Sequence, residues 1–209
     1  MTDFSTLYCK NGLIKRALSL IAAWLLLACV VAHAQVVTEI SQLRIERSDD
    51  EWQLSAQVQF ELPGVVEDAL LKGIPMVFVI TADVVKERWY WYDKKLASAE
   101  RYMRLAYQPL TRRWRLNISS TAMVNNGVGL ALNRSFDTLA QALSAIKRTA
   151  KWKIADAADL DPSTKSKLDL RFKLDLAQLP RPFQIGALGQ SDWDIAASVL
   201  TPFVAETGK

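Results

Sequence analysis

Met76-Val77-Phe78-Val79-Ile80 opens a run that ends in Arg88-Trp89-Tyr90-Trp91-Tyr92-Asp93-Lys94-Lys95, and how this run is read decides the fold. Five successive apolar residues, three of them β-branched, describe a strand covered on both faces, one of them plausibly by a helix. Polar residues enter at Asp83, Lys86, Glu87 and Arg88, and four consecutive aromatics follow before the charged Asp93-Lys94-Lys95 turn. Leu96 to Tyr107 then reads as a returning strand, so the whole is a long antiparallel hairpin with an aromatic tip. Charge pairing suggests its register: Arg88 opposite Glu100 and Glu87 opposite Arg101. The same register sets Trp89, Tyr90 and Trp91 against the small residues Ala99, Ser98 and Ala97.

Outward from this hairpin the chain continues to alternate. Trp52, Leu54, Ala56, Val58, Phe60 and Leu62 are interleaved with Gln53, Ser55, Gln57, Gln59 and Glu61, the period of a half-buried strand. Leu43 and Ile45 alternate before the Ser48-Asp49-Asp50-Glu51 turn, so these two segments form a first hairpin. Leu168, Leu170, Phe172 and Leu174 alternate with Asp169, Arg171 and Lys173 as a further amphipathic strand. Trp152 to Ala155 reads as a short strand, and Leu179-Pro180-Arg181-Pro182-Phe183 as an edge or crossing loop lacking two amide donors.

Two helices are expected. Residues 64–73 start after Pro63 and end at Gly73, placed to be a left-handed cap, with Pro75 blocking continuation. Residues 136–148 carry Phe136, Leu139, Ala140, Leu143 and Ile146 at helical spacing, behind Ser135-Phe136-Asp137-Thr138. Asn126-Gly127 marks a loop or weak hairpin. The fold class is α+β, mainly antiparallel β: about eight strands, sandwich-like or a curled sheet, with these two helices.

The first 34 of the 209 residues are of another kind. Lys10, Lys15 and Arg16 precede an apolar stretch from Ala17, and Ala32-His33-Ala34 closes it in the manner of a cleaved signal peptide. An uncleaved anchor through residues 17–34 is the alternative, since that stretch is only slightly short of a membrane span. Leu26-Leu27-Ala28-Cys29 resembles a lipobox, but Leu27 fits it poorly. Residues 35–202 make one domain and 203–209 a frayed tail. The expected location is the periplasm after export, or the inner membrane surface if the leader is retained.

The leader also takes both cysteines and the one histidine. The rest of the chain therefore offers no thiol or imidazole for a disulfide, a Cys/His metal site or a Ser-His-Asp triad. It carries 23 basic against 21 acidic side chains, evenly interspersed, which excludes the clustered cations of a nucleic-acid interface. Ser144-Ala145-Ile146-Lys147 matches S-x-x-K of the penicillin-recognising enzymes, yet the companion S-D-N and K-T-G motifs are missing. No catalytic residue, metal site or cofactor is assigned. Trp52, Trp114 and Trp152 read as core. Trp89, Tyr90, Trp91 and Tyr92 form the candidate binding surface, because a hairpin tip cannot easily bury both faces.

Several ordered motifs carry a resemblance. They are Phe60-Glu61-Leu62-Pro63, Gly73-Ile74-Pro75, Arg88-Trp89-Tyr90-Trp91-Tyr92-Asp93, and Arg104-Leu105-Ala106-Tyr107-Gln108-Pro109-Leu110-Thr111-Arg112. Ser135-Phe136-Asp137-Thr138-Leu139 and Leu179-Pro180-Arg181-Pro182-Phe183-Gln184 complete the set. With them the chain resembles the bacterial domain of unknown function 4390 family from about Val37 to Pro202, with a local insertion over Ser120 to Arg134. The resemblance implies a small exported or membrane-anchored protein of Gram-negative bacteria, without assigned activity, often encoded beside a two-component sensor kinase. The expected function is thus non-enzymatic: an envelope protein that binds a protein partner, a membrane sensor being one candidate, through the aromatic hairpin. A binder of an apolar or glycan ligand between sheet and helix is the alternative, and a carboxylate hydrolase ranks last.

Overall fold

The computed structural model describes residues 38–86, 94–121, 132–161, 164–187 and 189–204. The leader, the aromatic tip at 87–93 and the Asn126-Gly127 segment lie outside the described residues.

Among the described residues nine strands form two antiparallel sheets. The smaller has the order β1-β2-β7, with β1 at Glu39–Arg47, β2 at Glu51–Gln59 and β7 at Arg148–Asp156. The larger runs β6-β5-β4-β3-β8-β9. Its strands are β3 Met76–Lys86, β4 Lys94–Gln108, β5 Arg113–Ser119, β6 Leu132–Phe136, β8 Lys167–Leu174 and β9 Ala196–Pro202. Three helices accompany them: α1 Gly64–Leu71, α2 Leu139–Lys147 and α3 Arg181–Ala187.

The alternating strands behave as their period demands. Trp52, Leu54, Ala56 and Val58 of β2 are buried, as are Leu168, Leu170, Phe172 and Leu174 of β8, while their neighbours are wetter. Val77, Val79 and the residues between them are all buried, so β3 is covered on both faces as expected. Phe78 stacks on Phe172 with ring centroids 5.8 Å apart and meets Phe60 at 5.6 Å. These three rings occupy the space behind Met76–Ile80. Beyond β8 the chain continues this pairing, the amide of Asp175 donating to the Val77 carbonyl at 2.8 Å, before the 3-10 turn Leu176–Gln178.

Helix α1 ends as Gly73 requires. The Gly73 amide donates to the Leu70 carbonyl and the Ile74 amide to Ala69, with Gly73 at φ 83°. This is the Schellman arrangement, sealed by burial of Ala69 and Ile74. Helix α2 starts later than expected. Thr138 is its N-cap, its hydroxyl accepting from the Gln141 amide at 3.3 Å, and Phe136 belongs to β6 opposite Trp114. The chain passes directly from Lys147 into β7, so the expected short strand at 152–155 is nine residues long.

The proline segment is corrected too. Its residues enter α3, where the amides of Phe183 and Gln184 both donate to the Pro180 carbonyl. Pro182 then sits in the first turn, where amides have no intrahelical acceptor and the missing donor costs nothing. Gln184 clamps the entry by donating to the carbonyls of Ala177 and Leu179 at 2.8 and 2.7 Å.

The central hairpin does not have the expected register. Met76 faces Leu105, Phe78 faces Met103, Thr81 faces Glu100 and Ala82 faces Ala99, and the last pair among the described residues is Lys86 opposite Lys94. The difference from the charge-paired register is an odd number of residues, which exchanges the faces of β4. Met103 and Leu105 must face Phe78 and Met76 to be buried, and their burial outweighs two exposed charge pairs. Arg101 stands opposite Ile80 and lays its guanidinium 5.0 Å from the Trp152 ring centroid.

Candidate functional site

The same register creates a charged centre on the face of the larger sheet turned away from the core. Asp83 lies in the middle strand, opposite Ser98 of β4 and Asp169 of β8. It is only 2% exposed, although it interrupts an apolar run. Such burial is tolerated because every side of the carboxylate is occupied. The Ser98 hydroxyl donates to Oδ1 at 2.6 Å and Lys95 Nζ lies 2.9 Å from the same oxygen. The Arg171 guanidinium donates to Oδ2, and its Nε lies 3.4 Å from Asp169.

Burial pushes the Asp83 carboxyl up. The Ser98 and Lys95 hydrogen bonds and the charges of Lys95 and Arg171 outweigh it, holding the group below the usual carboxylate value. Asp83 is therefore an ionised anchor held by three donors. They occupy most of its acceptor sites, and the same interactions that lower its titration make it a weak proton acceptor. A hollow of about 240 Å³ opens beside it, lined by Thr81, Lys95, Glu100, Arg171 and Lys173. Next to it the Tyr102 hydroxyl donates to Glu100 at 2.7 Å. That hydrogen bond, with burial and the negative charges of Glu100 and Asp175, pushes the phenol up to about 12.

The strand ends above this centre are cationic. Lys86 stands opposite Lys94, while Lys95 and Lys167 flank Val85 on its two sides. A like-charge pair facing across a ladder is unfavourable. Beyond it come Trp89, Tyr90, Trp91 and Tyr92, all outside the described residues; what is described is their base. Between β4 and β7 a cleft of about 370 Å³ opens at the same end, with Leu96, Lys153 and Asp159 on its walls.

The other sequence candidates are dispersed. Ser144 donates to the Ala140 carbonyl at 2.8 Å, and Lys147 Nζ sits 5.0 Å from the Phe60 ring centroid, so neither addresses the other. Trp52, Trp114 and Trp152 are buried as expected, and Trp193 joins them. Among the described residues no group of three or more His, Cys, Asp or Glu side chains could hold a metal ion, and no helix is long and apolar enough to cross a membrane. Sequence reasoning noticed Asp83 in its apolar strand but missed Ser98, Lys95 and Arg171. The only available signal was the excess of Asp83 polarity over its neighbours; the partners depend on which strands flank β3.

In comparison with known families, the one described as Domain of unknown function (DUF4390) matches residues 37–201. No curated protein and no solved structure matches the chain.

Proposed function

The chain belongs to the DUF4390 family, and on that premise we propose that it is a non-enzymatic protein of the bacterial envelope. It binds a protein partner through the aromatic connection between β3 and β4, a membrane sensor being the leading candidate. The observation that carries this reading is the base of the hairpin. Asp83, Ser98, Lys95 and Arg171 tie three strands together immediately below Lys86 and Lys94, so the connection starts from a rigid platform. Preorganisation of that kind lowers the ordering cost of association. The four aromatics supply the residue types that dominate interfaces, and the facing Lys86 and Lys94 beneath them favour an acidic partner surface. The basic, apolar leader supports export as its route to the envelope.

The test is in-cell photo-crosslinking from position 94 followed by mass spectrometry, in the parent and in Trp89→Ala/Trp91→Ala. A discrete crosslinked protein that disappears in the double variant, with the circular dichroism spectrum unchanged, is the expected result. A crosslink of undiminished yield in the double variant would remove the aromatics from the interface.

A further inference from the structure

Exposed apolar side chains gather at the end of the fold remote from Lys86 and Lys94. Among the described residues eight large hydrophobics are exposed, and five of them, Val65, Leu71, Leu110, Phe183 and Ile185, belong to this end. The connectivity puts them there. Helix α1, with Val65 and Leu71, leads into the start of β3; the turn carrying Leu110 joins β4 to β5; and α3, with Phe183 and Ile185, follows the end of β8. Met76 faces Leu105 and Phe78 faces Leu174, so these connections leave the larger sheet on the same side. Single exposed apolar residues are ordinary, whereas a cluster at one end marks a contact surface.

Local structure holds these side chains outward. Leu110 is 100% exposed at the tip of the turn of residues 109–112, where a small polar residue would serve as well. Gln108 opposite Arg113 closes that turn, and the Thr111 hydroxyl donates to the Gln108 side chain at 3.3 Å. In α3 only Ala187 is buried, and Gln184 ties the helix to the carbonyls of Ala177 and Leu179 while Ile185 stays 77% exposed. A cation lies within two residues of an apolar tip in each element: Lys72 after Leu71, Arg112 after Leu110, Arg181 before Phe183. Apolar tips beside long cationic side chains suit a boundary between water and lipid. Glu67 and Asp68 of α1 oppose the cations, so apolar contact dominates over attraction to anionic lipid.

The described chain also begins at this end. Glu39 opens β1 opposite Gln59, the last residue of β2, and Phe60 just beyond packs on Phe78 and Phe172. The apolar stretch of residues 17–34, with Lys15 and Arg16 before it, therefore enters the fold on the side of α1, the 109–112 turn and α3. From residue 34 to Glu39 an extended chain covers at most about 17 Å. We infer that the leader is kept as an anchor and that this end of the domain rests on the lipid bilayer, Leu110, Phe183 and Ile185 entering the interface. The inference builds on the envelope location proposed above. A tether makes the contact intramolecular, so a few partly inserted side chains suffice. A second copy or a soluble partner would cover the same patch, but neither explains why it lies where the apolar leader joins. The aromatic connection then points away from the bilayer and meets its partner at the far end.

The test uses the full-length chain in vesicles of phosphatidylethanolamine and phosphatidylglycerol. In a Cys9→Ser/Cys29→Ser background, which has no other thiol, Leu110→Cys, Ile185→Cys and Val204→Cys each carry a fluorophore. All three positions are exposed, and Val204 follows β9 at the opposite end, so labelling leaves the core intact. Nitroxide-bearing lipids should quench the labels at 110 and 185 strongly and the label at 204 little. Adding Leu110→Asp to Ile185→Cys should lower the docked-to-undocked ratio about tenfold. Equal quenching at the three positions overturns the inference, because it describes a tether without docking. Shielding of 110 and 185 that grows with protein concentration and ignores the nitroxide lipids also overturns it, assigning the patch to a second copy. So does a cellular protein whose intact mass begins at Gln35. The vesicles hold no partner, so a failure here leaves the hairpin reading standing, and loss of the position 94 crosslink leaves the quenching unchanged.

Discussion

Asp83 of the central strand stands directly opposite Asp169 of β8, and the guanidinium of Arg171 reaches both carboxylates. Two like charges facing across a ladder would repel. The arginine between them turns the conflict into a cross-link, and Lys95 closes it from the other strand.

Asp83→Asn should therefore destabilise the protein by about 3 kcal/mol, the low end of the range for breaking a buried pair. The low end applies because Lys95 and Arg171 are 54% and 52% exposed and can return to water. The parent should also show an acid limb that the variant lacks. The folded Asp83 titrates below its unfolded value of about 4, so its contribution is complete above that pH and is lost as pH falls through the folded value. Urea denaturation of both proteins across the acid range measures this. Parallel pH profiles would show that Asp83 is not the group responsible.

Tyr102 should ionise near 12, above the ordinary phenol value of about 10. Its raised value means that its contribution is present below about 10 and vanishes as pH rises through the folded value. Ultraviolet difference titration should resolve one late tyrosine, and Glu100→Gln should bring it down by removing the charged acceptor.

Gly73→Ala isolates a backbone effect. A Cβ built at Gly73 meets nothing within 4 Å, yet φ is 83°. The expected loss is about 1–2 kcal/mol, from left-handed strain alone. Thermal unfolding that leaves the midpoint unmoved would mean that the α1 terminus rearranges at no cost.

Lys94→Glu should stabilise the fold by about 0.2–1 kcal/mol, replacing a like pair with Lys86 by an opposite one. The same change should weaken the crosslink proposed for the hairpin. A more stable protein with an unaltered crosslink would separate the lysines from recognition.

Much of this architecture was legible because period and face are local properties. Trp52 to Phe60 and Leu168 to Leu174 announce their buried sides residue by residue, and Gly73 announces its cap. The α3 prolines misled because Pro180 and Pro182 signal a break equally well as a first helical turn, and within the capping stretch Ser135 to Thr138 it is the last residue, Thr138, that caps α2. The hairpin register failed for a different reason. Charge pairs such as Arg88 with Glu100 can be counted along the chain, but they are weak when exposed, whereas burying Met103 and Leu105 against β3 depends on the opposite sheet being there.

Sequence alone determined the two-faced burial of β3, the amphipathic strands around it, and the confinement of both cysteines and the one histidine to the first 34 residues. Tertiary structure decided which residues meet Asp83 and in which register β3 meets β4. Those contacts join segments far apart in the chain. Their energies arise only after the two sheets have packed, so no stretch read by itself contains them.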